Sequence, residues 1–347
     1  MLGRSVSRQL AYQIANSSSR PKAPGGLVSW PLRSLAPAMD SISGPVAASS
    51  VARNSFKVTK GAVITKASLQ TFRAFSTHWG GNDQTGSDAM AHNTDKLQFA
   101  APWDIAAALG ILSRLPVRID TDRATARGAA SAWAYPFAGM ILGALACAIG
   151  QIALWLGLPN GLAAGLSLAA LVIITGAMHE DGLADTADGL WGGWDKNHRL
   201  KIMKDSHTGV YGVLALTLGL GLRWQALTLI IDHGALWPGV LAIAMLSRAA
   251  MVPVMAGLPH ARDEGLSQSV GRPDTTTSLI AIAIATFACM ILLHSSGLWL
   301  LASALLATLT CAAIAKAKIE GQTGDILGAT QQINEISMLL TLAALFS

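Results

Sequence analysis

Between residues 178 and 205 the chain reads MHEDGLADTADGLWGGWDKNHRLKIMKD, and six of its twenty acidic residues fall there: Glu180, Asp181, Asp185, Asp188, Asp195 and Asp205. If DGLADTAD is helical, Asp181, Asp185 and Asp188 stand at i, i+4 and i+7, within about 60° of one helical face. Three carboxylates that close repel one another, so the pattern calls for a cation between them. A divalent ion, Mg2+ first, shared with a phosphate-bearing substrate meets that need. Gly182, Gly189, Gly192 and Gly193 permit close backbone approach, and the cations Lys196, Arg199, Lys201 and Lys204 follow directly. A solvated loop between helices is the alternative. The shared face, the glycines and the adjacent cations favour a metal and phosphate site.

Further polar residues accompany this stretch. His179 abuts the acids and is suited to act as a general base or to orient a carboxylate, unless it is only an interfacial histidine. HED lacks the second histidine of a zinc HExxH pattern. Lys204, Asp205 and Ser206 precede Thr208-Gly209-Val210-Tyr211-Gly212, which suits either a phosphate cradle or a helix cap. Arg223 and Arg248 lie inside apolar runs, where a charge costs at least about 2.5–3.5 kcal/mol at the bilayer centre. Arg248 reads as a partner for substrate phosphate or a carboxylate, and Arg223 as a snorkelling or structurally paired residue. Arg262-Asp263-Glu264-Gly265-Leu266 and Gly321-Gln322-Thr323-Gly324-Asp325 complete the set. In the latter, Gln322, Thr323 and Asp325 sit between glycines at a helix start, where free backbone N–H groups bind anions; the alternative is an ordinary turn with Asp325 as N-cap. Asn334 and Glu335 carry polarity into the last apolar run, and Glu335 needs a buried partner.

The elements that must hold these residues are membrane helices. Of 347 residues 52% are hydrophobic and 13% charged, and the mean hydropathy is +0.44, outside the range of ordinary soluble domains. Apolar runs near 132–156, 161–178, 209–231, 235–256, 277–296, 297–315 and 325–346 are long enough to cross a bilayer, and a shorter one covers 99–115. The expected fold is all-α: a polytopic helical bundle of about seven transmembrane helices plus one short N-terminal membrane or interfacial helix. Cys147, Cys289 and Cys311 lie in apolar runs without CxxC spacing or a cysteine–histidine cluster, which speaks against a disulfide scaffold or zinc site. The basic residues of this pI 9.3 chain are dispersed in loops and leader rather than on one stripe, which speaks against nucleic acid.

Those loop charges alternate. Segments 116–131 (Arg118, Arg123, Arg127), 179–208, 257–276 (Arg262, Arg272) and 316–324 (Lys316, Lys318) are basic, whereas 157–160, 232–234 and 295–297 contain no Lys or Arg. The positive-inside rule puts the first set, with every polar motif above, on the cytoplasmic side, or the matrix side in an organelle. Residues 1–97 differ in kind. Through Gly81 they hold ten Lys or Arg against the single acid Asp40, with many Ser and Ala, the signature of an organelle transit peptide. Arg73-Ala74-Phe75-Ser76 is similar to a mitochondrial processing site; a disordered tail is the alternative, and residues 76–96 read as a linker. The membrane-embedded domain is expected over 98–347.

TGAMHEDGLADTADG at 175–189, RLKIMKDSHTGVYG at 199–212, SR at 247–248, ARDEGL at 261–266 and GQTGDILGA at 321–329 together resemble the cobalamin synthase family, the adenosylcobinamide-GDP ribazoletransferases, from about Gln98 onward. SRLP at 113–116 and the Pro136/Gly139 segment also look like that family's first helices. Two positions depart: Glu180 stands where many members carry an apolar residue, and Gln332 where an acid is frequent, which leaves Glu335 as the acid there. The resemblance implies an Mg2+-dependent enzyme that joins alpha-ribazole to adenosylcobinamide-GDP, forming adenosylcobalamin and releasing GMP. It implies Asp181, Asp185 and Asp188 at the metal, Asp181 also in catalysis, and Lys204 and Arg248 at phosphate. His179 is then the base, and Asp205, Ser206, Gln322, Thr323 and Asp325 contact substrate. The expected setting is a bacterial-type cytoplasmic membrane, or the mitochondrial inner membrane if the leader targets one; nothing speaks for or against an oligomer. Another membrane phosphotransferase using a nucleotide-linked donor, or a transporter, are the alternatives. Polar groups gathered on one face rather than at the bilayer midplane disfavour the transporter.

Overall fold

The computed structural model describes residues 101–346, which hold helices and no strand. The leader lies outside them. A short apolar helix α1 (Trp103–Leu112) leads to α2 (Thr121–Arg127), capped by the Asp120 carboxylate, which accepts the amides of Asp122 and Arg123. A 3-10 segment (Gly128–Ala134) then runs into α3 (Tyr135–Trp155). There follow α4 (Asn160–Thr175), α5 (Met178–Gly192), α6 (Lys196–Met203), α7 (Val210–Asp232), α8 (Leu236–Ala249), α9 (Met251–Gly257), α10 (Leu266–Val270), α11 (Thr275–Leu293), α12 (Ser296–Ile319) and α13 (Gly324–Phe346).

Among the described residues, five segments are long and apolar enough to cross a bilayer: Thr121–Trp155, Val210–Asp232, Leu236–Gly257, Thr275–Leu293 and Ser296–Ile319. The protein is thus an all-α polytopic membrane protein. The expected count of about seven is not reached on length and composition, for two physical reasons. First, α4 and α5 qualify only together and meet at an 85° bend. At that bend Gly176 and Ala177 both take left-handed φ values, 65° and 56°. Their amides close the end of α4 on Ile173 and Val172, the pattern of a Schellman cap, and end the helix inside the expected run 161–178. Second, α13 is 23 residues long but carries Gln331, Gln332, Asn334 and Glu335, all buried within the bundle.

The hub is α8, most of whose surface is covered, with α3, α11 and α13 packed around it. One apolar core gathers Ile230, Ile243, Leu246, Leu300, Met338 and Leu342; a second gathers Leu112, Tyr135, Leu142, Met251, Ile319 and Ile326. Leu214, Leu218, Phe287, Leu305, Leu306 and Leu309 face outward, as lipid-contacting positions should. Arg127, counted among the loop charges from sequence, proves to be buried. Its Nε and Nη2 donate to both oxygens of Asp104 at 3.0 and 2.6 Å, and Trp133 Nε1 donates to the same carboxylate at 2.7 Å, which fastens α1 to the rest.

Candidate active site

The acidic stretch is helical, as the spacing predicts, and its acids divide between two environments. Asp181 and Asp185 are partly exposed, whereas Glu180 and Asp188 are buried. α5 lies directly on the start of α13. A Cβ added to Gly182 would come within 2.9 Å of the Asp325 carbonyl oxygen and 3.1 Å of Gly328 Cα, so only glycine allows this approach. The contact sets the α5 acids beside GQTGD, and the charge of Asp181 acts on the Asp325 carboxylate. Asp325 Oδ2 also accepts from Arg262 Nη2 at 2.9 Å. Two carboxylates and a guanidinium, from three separate stretches of sequence, therefore lie close enough to feel one another's charge.

Asp188 is arranged differently. Its Oδ2 accepts the Gly209 amide at 2.6 Å and its Oδ1 the Gly212 amide at 2.8 Å, at the N-terminus of α7. Among the described residues no three His, Cys, Asp or Glu side chains converge on one point as ion ligands, so Asp181, Asp185 and Asp188 do not form a closed triad here. The donor set nevertheless suits Mg2+, which is commonly held by one or two carboxylates together with substrate phosphate oxygens rather than by an all-protein cage.

Most of the residues expected at substrate already have partners within the protein. Lys204 pairs with Glu264 at the surface, and this partner holds the Glu264 carboxyl below its usual range. Asp205 is exposed and bonded to the amide and ring of His207, which lowers its pKa; Ser206 is exposed as well. Gln322 is buried and stitches two loops together. Its amide and carbonyl pair with Pro259 O and Ala261 N, its Oε1 accepts from Ser267 Oγ at 2.6 Å, and its Nε2 lies 2.9 Å from His260 Nδ1. Thr323 Oγ1 accepts the Ile326 amide at 3.3 Å. The cap of α13 is therefore Thr323 rather than Asp325, and Asp325 is left to face Arg262.

Beneath this level lies a buried polar network. Arg223 donates from Nη2 to Glu180 Oε1 at 2.8 Å and from Nη1 to Glu335 Oε1 at 3.0 Å. Gln331 Nε2 donates to Glu335 Oε2 at 2.6 Å and to Ser247 Oγ at 3.1 Å, and Gln332 Nε2 to Glu180 Oε1 at 3.2 Å. Arg248, 1% exposed, donates from Nη1 to the Ala244 carbonyl at 3.1 Å, and its charge is felt together with those of both glutamates. Its Nε has no partner among the described residues, and neither has Nε2 of the equally buried His179. The partner that Glu335 requires is Arg223. Glu180, whose departure from the family pattern gave no hint of a role, is the second carboxylate on that guanidinium; two arginines in apolar runs against the one acid Glu335 were the available clue. At position 332 the glutamine bonds to Glu180 and bears no charge.

A family model described as cobalamin-5-phosphate synthase matches residues 104–343. The chain belongs to this family. It is 42% identical over 245 residues to the adenosylcobinamide-GDP ribazoletransferase of Bradyrhizobium diazoefficiens, covering 70% of this chain and 93% of that one. The enzymes of the same name from Rhizobium etli and Mesorhizobium japonicum are 39% and 38% identical, over 69% and 70% of this chain and 96% and 94% of their own. No solved structure matches. The region shared with the cobalamin-5-phosphate synthase family contains the α5 acids, Arg223, Arg248, the 261–266 loop and GQTGD.

Proposed function

We propose that this protein is an adenosylcobinamide-GDP ribazoletransferase. It joins alpha-ribazole to adenosylcobinamide-GDP, releases GMP and forms adenosylcobalamin. The observation that carries the reading is a shared sequence over almost the whole length of relatives bearing that name, with the family's motifs meeting where α5 crosses α13. In the reaction a ribazole hydroxyl attacks the phosphorus attached to the cobinamide arm, and GMP departs with the electrons of the broken P–O bond. Such a transfer depends on positioning and on neutralising charge on the phosphoryl oxygens.

Asp181 and Asp185 are the side chains that would hold Mg2+, with Asp325 within the field of Asp181. That ion would supply charge neutralisation of the diphosphate. Arg262 and Lys204 are the cations at the same level, each now held by a carboxylate that a diphosphate can replace. Phosphate oxygens carry more charge than one carboxylate and take guanidinium hydrogen bonds in the same forked geometry. Arg248 and His179 lie deeper, with donor and ring nitrogens not used by the protein. His179 in neutral form is able to take the hydroxyl proton at Nε2. The basic loops 179–208, 257–276 and 316–324 support a site on the cytoplasmic face of a bacterial-type inner membrane.

Purified detergent-solubilised protein, given adenosylcobinamide-GDP and alpha-ribazole with and without Mg2+, should release GMP only when both organic substrates and the ion are present. GMP release with another alcohol acceptor and no need for ribazole would replace this reading with that of a different membrane phosphotransferase.

A further inference from the structure

α5 follows a break with two left-handed residues and an 85° bend, so its faces do not continue those of the preceding span. Besides its contact with α13, two of its acids hold it, and both reach the same helix. Near the start of α5, Glu180 meets Arg223, fourteen positions into α7. Two turns later Asp188 meets the first turn of α7. The N-cap of α7 is Gly209, which has no side chain to receive the orphan amides of that turn. Asp188 supplies from another helix what a capping box supplies locally, one oxygen for the N-cap amide and one for the N3 amide of Gly212, and places a negative charge at the positive end of a 23-residue helix. The two glycines belong to the same device. A Cβ on Gly209 would lie 2.6 Å from Asp188 Oδ1, and one on Gly212 would press still closer on Oδ2.

We propose that Asp188 and Glu180 are positioning residues: by clasping α7 at two points two turns apart they hold the rotation of α5, and so hold Asp181 and Asp185, which lie between the clasps, toward the ion site beside the reacting phosphates. The inference rests on the reading that α5 borders the transfer site. It divides the acidic motif into two carboxylates that act on substrate and ion and two that act on the fold around them.

Asp188→Asn, Gly212→Ala and Asp181→Asn, prepared as full-length protein in detergent, separate the roles. Asp188→Asn should lower GMP release per folded molecule by about tenfold or more, since a misplacement of ~1 Å near the chemistry can cost roughly 10²-fold. Its Mg2+ half-saturation should stay at the wild-type value, excess Mg2+ should not rescue it, and amide hydrogen exchange at Gly209 and Gly212 should speed up. Gly212→Ala, which removes no ionisable group, should reproduce that pattern and serves alone if Asp188→Asn fails to insert. Asp181→Asn should instead raise the Mg2+ half-saturation. A raised half-saturation in Asp188→Asn, or wild-type turnover in Gly212→Ala, overturns the assignment. An unchanged half-saturation in Asp181→Asn counts against the metal reading and leaves the clasp standing. Loss of activity in Asp188→Asn only in proportion to lost folded protein makes Asp188 a stability residue and also overturns it.

Discussion

Arg223 lies between Glu180 and Glu335 with all three side chains buried, whereas Lys204 meets Glu264 with both largely in solvent. The contrast is one of what each charge does when its partner leaves. In the bundle interior, removing the guanidinium strands two desolvated carboxylates, so the pair cannot exchange and its elements stay fixed. At the membrane face, water and salt replace a lost partner at little cost, so the same kind of contact holds nothing firmly and remains open to a better anion. The buried set ties α5, α7 and α13 into one frame, and the exposed set is what substrate can rearrange.

The largest effect should come from breaking the buried set. Arg223→Met leaves Glu180 and Glu335 unpaired and is expected to destabilise the protein by about 3–5 kcal/mol, seen as a lowered thermal midpoint in detergent. Replacing Glu180, Arg223 and Glu335 together by Met should recover most of that midpoint, because no charge is then stranded. If the single variant melts like the parent, the triad is not what joins the three helices.

Arg248 tests whether every buried cation belongs to the frame. It shares the field of Glu180 and Glu335 but donates only to a carbonyl of its own helix. Arg248→Met keeps the apolar stem, so its thermal midpoint should fall less than that of Arg223→Met while ribazole-dependent GMP release collapses. A larger loss of stability than in Arg223→Met, with turnover per folded molecule intact, would place Arg248 in the frame instead.

The same contrast explains what could be read from the sequence. The spans were legible because lipid demands long apolar helices, and the i, i+4, i+7 acids because helical spacing is local. The Gly176–Ala177 break was hidden inside an apolar run that looked continuous. The partners of Asp188 lie 21 and 24 residues away, and those of Gln322 lie 55 and 62 residues away. No spacing rule reaches them. Polar residues at helix starts therefore read as empty anion cradles, although Gln322 and Thr323 are occupied by the fold. Glu335 was legible as a residue needing a partner. That Glu180 shares the same arginine became visible only when α5 was placed.

The exposed set should respond oppositely to its two halves. Glu264→Gln frees Lys204 and should lower the KM for adenosylcobinamide-GDP by a few-fold, while Lys204→Met should raise it; thermal midpoints should stay at the parent value in both. Added salt should shrink the difference between the variants, since the contact is screened. Equal effects of the two substitutions on KM would mean that Lys204 serves Glu264 and not the diphosphate.

The smallest expected effect lies where the two regimes meet, in the loop that Gln322 ties to residues 259–261. His260 Nδ1 sits 2.9 Å from Gln322 Nε2, a contact in which the amide nitrogen donates and the ring must therefore be unprotonated. Burial, and then the charge of Arg272, push the His260 pKa below its ordinary 6.5. The unfolded chain therefore takes up this proton before the folded one does. The contribution of His260 to stability is complete above pH 6.5 and declines as the pH falls from there toward the lower folded pKa. His260→Asn removes the titration, so the fall in thermal midpoint between neutral and mildly acid pH should be shallower than in the parent. An identical pH slope in parent and variant would show that the loop does not sense this proton, and that its hold on GQTGD comes from the backbone pairing of Gln322 with Pro259 and Ala261 and from the Ser267 and Arg262 contacts.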